Sequence, residues 1–590
     1  MVDERAGLAD KRPSIALIYR AATRDRPSAT LKPGQLAAIV INTARLNYYF
    51  AIATLSRSMP ALKPLTFSSS FTILVLLSAC SSGSDSPADT GTGLNEASCA
   101  LQYTETTPGT QTGSDPLIGD QWHLNNTGQT GGTPGEDAGV FNAWNRTLGS
   151  GVRVAVVDDA IEVTHEDLVA NVVPGKSFNY RPARLGSSFP LPCNTSDSHG
   201  TAVAGLVSAS RNNARGGSGV APETELVGFN ALATGIDSDI ADALNKDLAE
   251  ISLYNNSWGS PDNGKLNTAE SSFIQAIDNG IRNGRGGKGA IFVFPAGNGG
   301  CYAQDQSGQC YRENSNYDGY VNKLGQITAC AVDHDGKRPF YGETGANFLV
   351  CGNSSNNTTL ITTTDIQNRY RSTFSGTSAS TPIVAGVAAL ILAENPQLTW
   401  RDVQQILIRT ARKNDSADSG WTTDFGLNFN PRYGFGTVDA EAAVALASTW
   451  TSIGGSESLK QCGPFSSAPN VGLADPSPAI DTQEDIIAVS GCSIDRIEFI
   501  EVKLTATHEY GGDLRISLTS PAGLVSPLAS ERVCSSTGPR DACGPYSDWP
   551  FGLVRHMDEP SNGNWTLRVA DAAVQDTGSF DRWSITFHGR

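Results

Sequence analysis

Basic residues are scarce in this chain. Of its 590 residues, 43 are Lys or Arg and 60 are Asp or Glu, a net charge of −17. Beyond position 79 the imbalance sharpens to 33 basic against 56 acidic residues, a net of −23. Such a surface repels nucleic acid and suits cationic ligands, so no nucleic-acid partner is expected. Zinc motifs are missing too. Neither Cys-x-x-Cys nor His-Glu-x-x-His occurs, which leaves a zinc reading without its ligand spacing. The apolar run from Phe71 to Cys80 is too short to span a bilayer. Finally, Ser81 to Ser114 contains no Lys or Arg, and these thirty-four polar residues are too few to fold as a domain of their own.

What the N-terminal region does contain points to export. Met59-Pro60-Ala61-Leu62-Lys63, the apolar stretch Phe71 to Leu77 and the small residues before Cys80 make a signal peptide over 59–79. Its ending, Leu77-Ser78-Ala79-Cys80, resembles a bacterial lipobox, which makes Cys80 the expected lipidation site and a cell envelope or cell surface the expected location. Residues 1–58 lie upstream of this signal with no coherent pattern, so Met59 is the expected start. Ser81-Ser82-Gly83-Ser84-Asp85-Ser86-Pro87 begins a low-complexity tether over 80–110. Removing Cys80 from eleven cysteines leaves ten, an even set that favours an oxidising compartment. Near neighbours suggest the pairs Cys301–Cys310, Cys330–Cys351, Cys462–Cys492 and Cys534–Cys543, and exclusion leaves Cys99–Cys193.

Two domains follow. Residues 111–450 alternate β and α patterns: Val152 to Val157, Leu226 to Phe229 and Ala290 to Phe294 read as buried strands, and Ala269 to Asn283 as a helix. That is an α/β domain with a parallel sheet covered by helices on both faces. After a Gly/Ser/Pro-rich linker over 451–475, residues 476–590 alternate with period two through Ile497 to Thr507 and Asp513 to Thr519, with no long helix. They read as a β-sandwich or jelly roll that supplies no nucleophile and base.

The chemistry sits in four short segments. Phe374-Ser375-Gly376-Thr377-Ser378-Ala379-Ser380 puts a serine on a tight turn at the start of a helix, where backbone N–H groups favour a developing negative charge. The strand Val152 to Val157 ends in Asp158-Asp159. His199-Gly200-Thr201 opens a second helix of small residues. Asp158, His199 and Ser378 supply carboxylate, base and nucleophile in the chain order Asp, His, Ser. Asn298, in Ala296-Gly297-Asn298-Gly299, offers an amide N–H which with the Ser378 backbone N–H makes an oxyanion hole.

With these residues in place, the chain resembles subtilisin-type serine proteases, and more narrowly their kexin and furin branch. The narrower resemblance rests on Asp158-Asp159, Ser257-Trp258-Gly259, Gly284-Arg285-Gly286-Gly287, Asn316-Tyr317-Asp318-Gly319-Tyr320 and Leu398-Thr399-Trp400-Arg401-Asp402. It resumes as a P domain in Tyr510-Gly511-Gly512-Asp513-Leu514 and Asn564-Trp565-Thr566-Leu567. Ala160 stands where the family usually has glycine.

The resemblance implies a serine endopeptidase acting on protein or peptide substrates. Ser257, Trp258, Gly259 and Tyr320 would shape the cleft. Asp262 and Asp318 would pair with a basic residue before the scissile bond, and Asp159 and Asp197 with a second one. Asn245 stands where the family often has an acid for a more distant residue, so paired basic residues are the expected target. The resemblance also implies Ca²⁺. One site would use Asp115, Asp167 and Asn213 with the carbonyls of Ser210, Arg215 and Gly217. The other would use Asp262, Glu313 and Glu343, with Asp305 as an alternative to Glu313. A monomer is expected, anchored through Cys80 and helped to fold by a chaperone in trans or folding alone, with no pro-domain released. A broad-specificity subtilase and a catalytically silent envelope adhesin are the competing readings.

Overall fold

The computed structural model describes residues 94–301, 303–304, 310–476, 480–534 and 543–590. The upstream extension, the signal peptide, Cys80 and Asp305 lie outside them.

The N-terminal half alternates strand and helix as its apolar runs predict. In chain order it comprises α1 (Val140–Ala143), β1 (Arg153–Val157), α2 (His199–Ser208), β2 (Glu225–Phe229), α3 (Asp237–Ala243), β3 (Leu253–Asn255), α4 (Ser271–Asn283) and β4 (Ile291–Pro295). A short hairpin of β5 (Ala303–Gln304) and β6 (Cys310–Tyr311) precedes β7 (Gln326–Val332) and β8 (Val350–Asn353). A hairpin of β9 (Ile361–Asp365) and β10 (Arg369–Phe374) then leads into α5 (Thr377–Glu394), α6 (Trp400–Thr410), the hairpin β11 (Thr422–Asp424) and β12 (Leu427–Phe429), and α7 (Ala440–Ala447).

Six strands form a parallel sheet in the order β2-β1-β3-β4-β7-β8. Because β1 lies between β2 and β3, the chain reverses its direction of winding there. The loops leaving β1, β3 and β4 therefore emerge at one edge of the sheet, where α/β proteins place their sites. The long helix α5 is apolar on every side and is buried accordingly, packed against β4, β7, β8 and α2. It is long and apolar enough to cross a membrane, yet it is the core helix of this domain. Helix α6 is amphipathic and begins with a capping box between Thr399 and Asp402.

The C-terminal part is a sandwich of two antiparallel sheets. One runs β13 (Lys460–Ser467), β21 (Gly578–Gly589), β16 (Ile497–His508) and β19 (Tyr546–Leu553), with β14 (Val471–Leu473) also on β21. The other runs β15 (Asp481–Val489), β20 (Gly563–Asp571), β17 (Leu514–Thr519) and β18 (Val525–Ala529). Inward-facing Trp565, Trp583, Ile585 and Phe587 fill the space between them.

Two expectations need correcting. Residues 460–473, expected in a linker, are sandwich strands paired to β21. The described part of the expected tether is not free either: Leu101 and Tyr103 are buried, and Cys99 is bonded to Cys193. All five expected disulfide pairs are present.

The two parts share side chains. Tyr317 and Ala346 of the first are buried in the core of the sandwich, while Phe499, Val554 and Met557 of the sandwich belong to the core of the first. Arg401 on α6 is fully buried. It forks onto Glu498 at 2.8 and 2.6 Å while its other nitrogen donates to the carbonyls of Ile453, Gly454 and Gly455. A buried guanidinium with its donors so matched fastens the connecting segment to both domains.

Candidate active site

The strand β1 ends by delivering Asp158, which is 1% exposed, against the first turn of α2. Its carboxylate accepts from His199 Nδ1 at 2.9 and 3.1 Å. The approach depends on Gly200: a Cβ there would lie 2.5 Å from the Ala160 carbonyl oxygen and 2.7 Å from Asp158 Cβ. With Nδ1 engaged, Nε2 is the nitrogen left to act as base. The imidazole rests edge-on against Phe374, 5.3 Å between ring centres. Burial disfavours its charged form, but the charge and hydrogen bond of Asp158, with Asp159 behind, more than reverse this and lift its pKa to about 8.

Ser378 is the second residue of α5, so its N–H has no partner within the helix. The turn before it uses Gly376 at φ 82°, ψ 175°, a conformation open to glycine alone. Asn298, carried on the loop leaving β4, accepts from the Thr377 N–H at 2.8 Å and hydroxyl at 3.0 Å through Oδ1. With Oδ1 so engaged, the amide orientation is fixed and Nδ2–H is the group left to donate, as an oxyanion hole requires. The Ser378 hydroxyl itself donates to the Ser257 carbonyl at 3.2 Å.

The cleft wall is the extended stretch after β3. Trp258 donates from its indole to the Val157 carbonyl at 2.9 Å and packs edge-on with Phe273, Phe294 and Tyr320. Asp318 accepts from the Ser260 N–H and hydroxyl at 2.8 and 2.9 Å and from the Tyr320 N–H at 2.8 Å. It therefore sits beneath the Gly259–Ser260 strand, while Asp262 Oδ1 is 3.5 Å from the Asn298 N–H. Sequence reasoning missed Asp237, in the first turn of α3, whose carboxylate accepts from the Tyr320 hydroxyl at 3.4 Å. A solvated helix-start acid carries no mark of that role. Asp159 and Asp197, expected in the pocket for a second basic residue, both make bonds within the chain. Asp159 caps α2 through the His199 and Gly200 N–H groups. Asp197 pairs with Arg181 at 2.8 Å and accepts from the Cys193 and Asn194 N–H groups. Ala160 has a negative φ, so it fits without glycine's freedom.

Of the two expected calcium clusters, the second is the tighter. Carboxylate oxygens of Asp262, Glu313 and Glu343 all lie within 4.8 Å of one another. Glu313 and Glu343 are buried, and Glu313 Oε2 has no hydrogen-bond partner. Burial, with the neighbouring acids, pushes Glu313 up to about 8 and Glu343 well above the usual range. Three crowded carboxylates of this kind fit a hard divalent cation. In the first cluster Asp115 accepts from the Asn212 and Asn213 N–H groups, and Asp167 accepts from Asn213 Nδ2 at 2.7 Å and the Gly217 N–H at 3.3 Å. Burial chiefly, and Asp115, raise Asp167 to about 7. Its donors are oxygens too, although the Asn213 amide faces Asp167 with nitrogen.

A family model described as the subtilase family matches residues 149–436, and one described as the proprotein convertase P-domain matches 497–587. Neuroendocrine convertase 2 from Homo sapiens is 33% identical over 500 residues, which cover 81% of this chain and 74% of the relative. The chain belongs to the subtilase family. Within it, a dibasic-processing endoprotease from Schizosaccharomyces pombe is also 33% identical, over 488 residues covering 81% of this chain. The chain spans 65% of that relative's length and 47% of a dibasic-processing endoprotease from Yarrowia lipolytica. Among solved structures, a serine protease of Aeromonas sobria superposes with a TM-score of 0.71 at 26% identity, covering 86% of this chain and 99% of its own.

Proposed function

We propose that this subtilase is a calcium-dependent serine endopeptidase cleaving protein and peptide substrates after basic residues, preferentially paired ones. The Ser378 hydroxyl loses its proton to His199 Nε2 as Oγ attacks the scissile carbonyl carbon. Asp158 holds the ring and stabilises the imidazolium, and the oxyanion takes hydrogen bonds from Asn298 Nδ2 and the Ser378 N–H. His199 then returns the proton to the leaving amine. Water, deprotonated by the same nitrogen, releases the acyl group. Calcium, held by Asp262, Glu313 and Glu343 and by the Asp115 and Asp167 cluster, would offset buried negative charge and stiffen the pocket loops.

The basic preference rests on two carboxylates, Asp318, which accepts from Ser260, and Asp262, beside Asn298, which we assign to the pocket for the residue before the scissile bond. An apolar side chain there would face unpaired charge. The test is a mixed peptide library cleaved by wild type and by Asp262→Asn with Asp318→Asn. Cleavage after Arg is expected to fall about 10- to 100-fold per carboxylate, each charge-assisted contact contributing about 1.5–3 kcal/mol. A wild type that prefers Leu or Phe sinks the reading in favour of a broad-specificity subtilase, and failure to react with a fluorophosphonate would leave the adhesin.

The same proposal covers location. An export signal ending at Cys80 would leave the protease lipid-anchored in the cell envelope, its tether uncut for want of basic residues. Mass spectrometry of the mature N-terminus checks this: a diacylglyceryl Cys80 supports it, an N-terminus near Asp115 overturns it. The Aeromonas sobria serine protease has been crystallised in complex with a chaperone. A trans-acting chaperone is the corresponding proposal here, tested by whether denatured chain refolds alone to titratable serine.

A further inference from the structure

The specificity pocket is not built by the subtilase domain alone. Its two acid-bearing loops, 260–264 and 313–320, both end against one side chain of the sandwich, Arg532. This residue is 2% exposed. Its Nε donates to the Gly264 carbonyl at 2.6 Å, and the Gly264 N–H donates to Glu313 Oε1 at 3.2 Å. The guanidinium lies over the Tyr317 ring, 4.0 Å from its centre, and NH1 donates to the Tyr546 hydroxyl at 2.8 Å. Tyr317 directly precedes Asp318, and its hydroxyl accepts from the Ser530 N–H at 3.1 Å. One residue earlier, Asn316 exchanges hydrogen bonds with the Gly552 backbone, at 2.7 and 3.1 Å, and accepts from the Trp549 indole.

We infer that Arg532 is a positioning residue for the primary specificity pocket. It fixes Asp262, two residues before Gly264, relative to Asp318, one residue after Tyr317. Two carboxylates recognise a guanidinium only when their separation is held, so the side chain that joins the loops carrying them sets the selectivity without touching substrate. A neutral side chain at 532 would lose the charge-assisted hydrogen bond to Gly264 and the stacking on Tyr317 together. Supporting residues of this kind change activity or affinity about 10- to 100-fold when removed. The inference rests on the proposed preference for basic residues.

The experiment uses the full chain as wild type, Arg532→Gln, Arg532→Lys and Tyr546→Phe, each normalised by titrating the reactive serine with a fluorophosphonate. Peptide amides with Arg, Lys or Leu before the scissile bond, and one unselective ester, give kcat and KM. For Arg532→Gln the Arg-over-Leu ratio of kcat/KM is expected to fall about 10- to 100-fold, mainly through KM. Ester turnover per titrated serine stays within about twofold, and Arg532→Lys recovers part of the loss. If wild type selects Arg and the ratio is unchanged in Arg532→Gln, Arg532 is only a stabilising contact and the inference is overturned. If Arg532→Gln yields no titratable serine, Tyr546→Phe decides, since it keeps the charge and loosens its aim: an unchanged ratio overturns the inference, a reduced one supports it. A wild type without Arg selectivity overturns the reading of the pocket itself, and this inference with it.

Discussion

Among the described residues, each domain carries a serine, a histidine and a carboxylate in a Ser–His–carboxylate set, and the two sets differ in their surroundings. In the sandwich, Ser526 meets His556 Nε2 at 2.9 Å and His556 Nδ1 meets Glu559 at 2.8 Å. By distance this is the better-formed triad, and it contradicts the expectation that the sandwich holds no such set. In the subtilase domain His199 engages Asp158 just as closely, but the Ser378 hydroxyl points to the Ser257 carbonyl. The difference lies in surroundings. Ser526 and His556 are wholly inaccessible and Glu559 is 1% exposed, whereas the His199 side chain is 35% exposed and Ser378 lies in the open first turn of α5. Burial lowers the His556 pKa, while Asp158 raises that of His199 to about 8. A relay whose polar atoms are all satisfied inside a core is structural. A catalytic one keeps donors in reserve for a charge that exists only in the transition state.

The largest test of that contrast is Ser378→Ala. Amide hydrolysis is expected to drop on the order of 10⁶-fold in turnover, since a nucleophile removed from such a unit disables all of it. Circular dichroism should report an unchanged fold. Residual activity within about tenfold of wild type would mean the wrong relay has been named. Next comes Asn298→Ala, which removes one reserved donor and leaves the triad whole. Its expected cost is about 10² to 10³ in kcat with KM little changed. A loss confined to KM would show that Asn298 binds substrate rather than the oxyanion.

The asymmetry between the relays was legible on one side only. Asp158, His199, Ser378 and Asn298 announce themselves because each sits at a strand end or helix start with small residues around it. Those local patterns are dictated by the close approach of backbone to substrate. The parallel sheet was legible for the same reason, its apolar runs being continuous. Ser526, His556 and Glu559 could not be read out because nothing local marks a pairing across the sandwich; β18 and the loop before β20 meet only in the fold. The same holds for Asp197, whose turn toward Arg181 no pattern discloses, and for Arg532, whose contacts span 268 positions to Gly264. The linker boundary failed because β13 alternates weakly and has Pro464 within it.

Acidity separates the two histidines next. For His199 the neutral imidazole is the reactive form, so kcat/KM should fall about tenfold per unit as pH drops below about 8. Its stability contribution has the opposite sense: a raised pKa favours the protonated fold, so that contribution is complete below about 6.5 and lost as pH rises through about 8. The acid cluster at Asp262, Glu313 and Glu343 acts in the same direction. Without metal, Glu313, raised to about 8, makes the fold lose stability as pH rises from about 4.5 to about 8. Added Ca²⁺ should flatten that slope, read as the thermal midpoint with and without EDTA. A midpoint indifferent to Ca²⁺ at pH 8 would remove the cluster as a cation site.

The smallest effect is the one that isolates the silent relay. Ser526→Ala leaves His556 Nε2 buried with no hydrogen to accept, while Nδ1–H keeps its bond to Glu559. An unsatisfied buried acceptor costs about 1–3 kcal/mol, so the thermal midpoint should fall by a few degrees. Turnover per titrated serine should stay within about twofold, because neither Ser526 nor His556 has a path to solvent or to the cleft. Lowering the pH should widen the stability gap. His556 has a depressed pKa, so the fold loses stability as pH falls below about 6.5, and in the variant the added Nε2 proton has no Ser526 oxygen to donate to. If Ser526→Ala instead abolished fluorophosphonate labelling while Ser378 was intact, the buried relay would be the reactive one, and the distinction drawn between accessible and satisfied triads would fail.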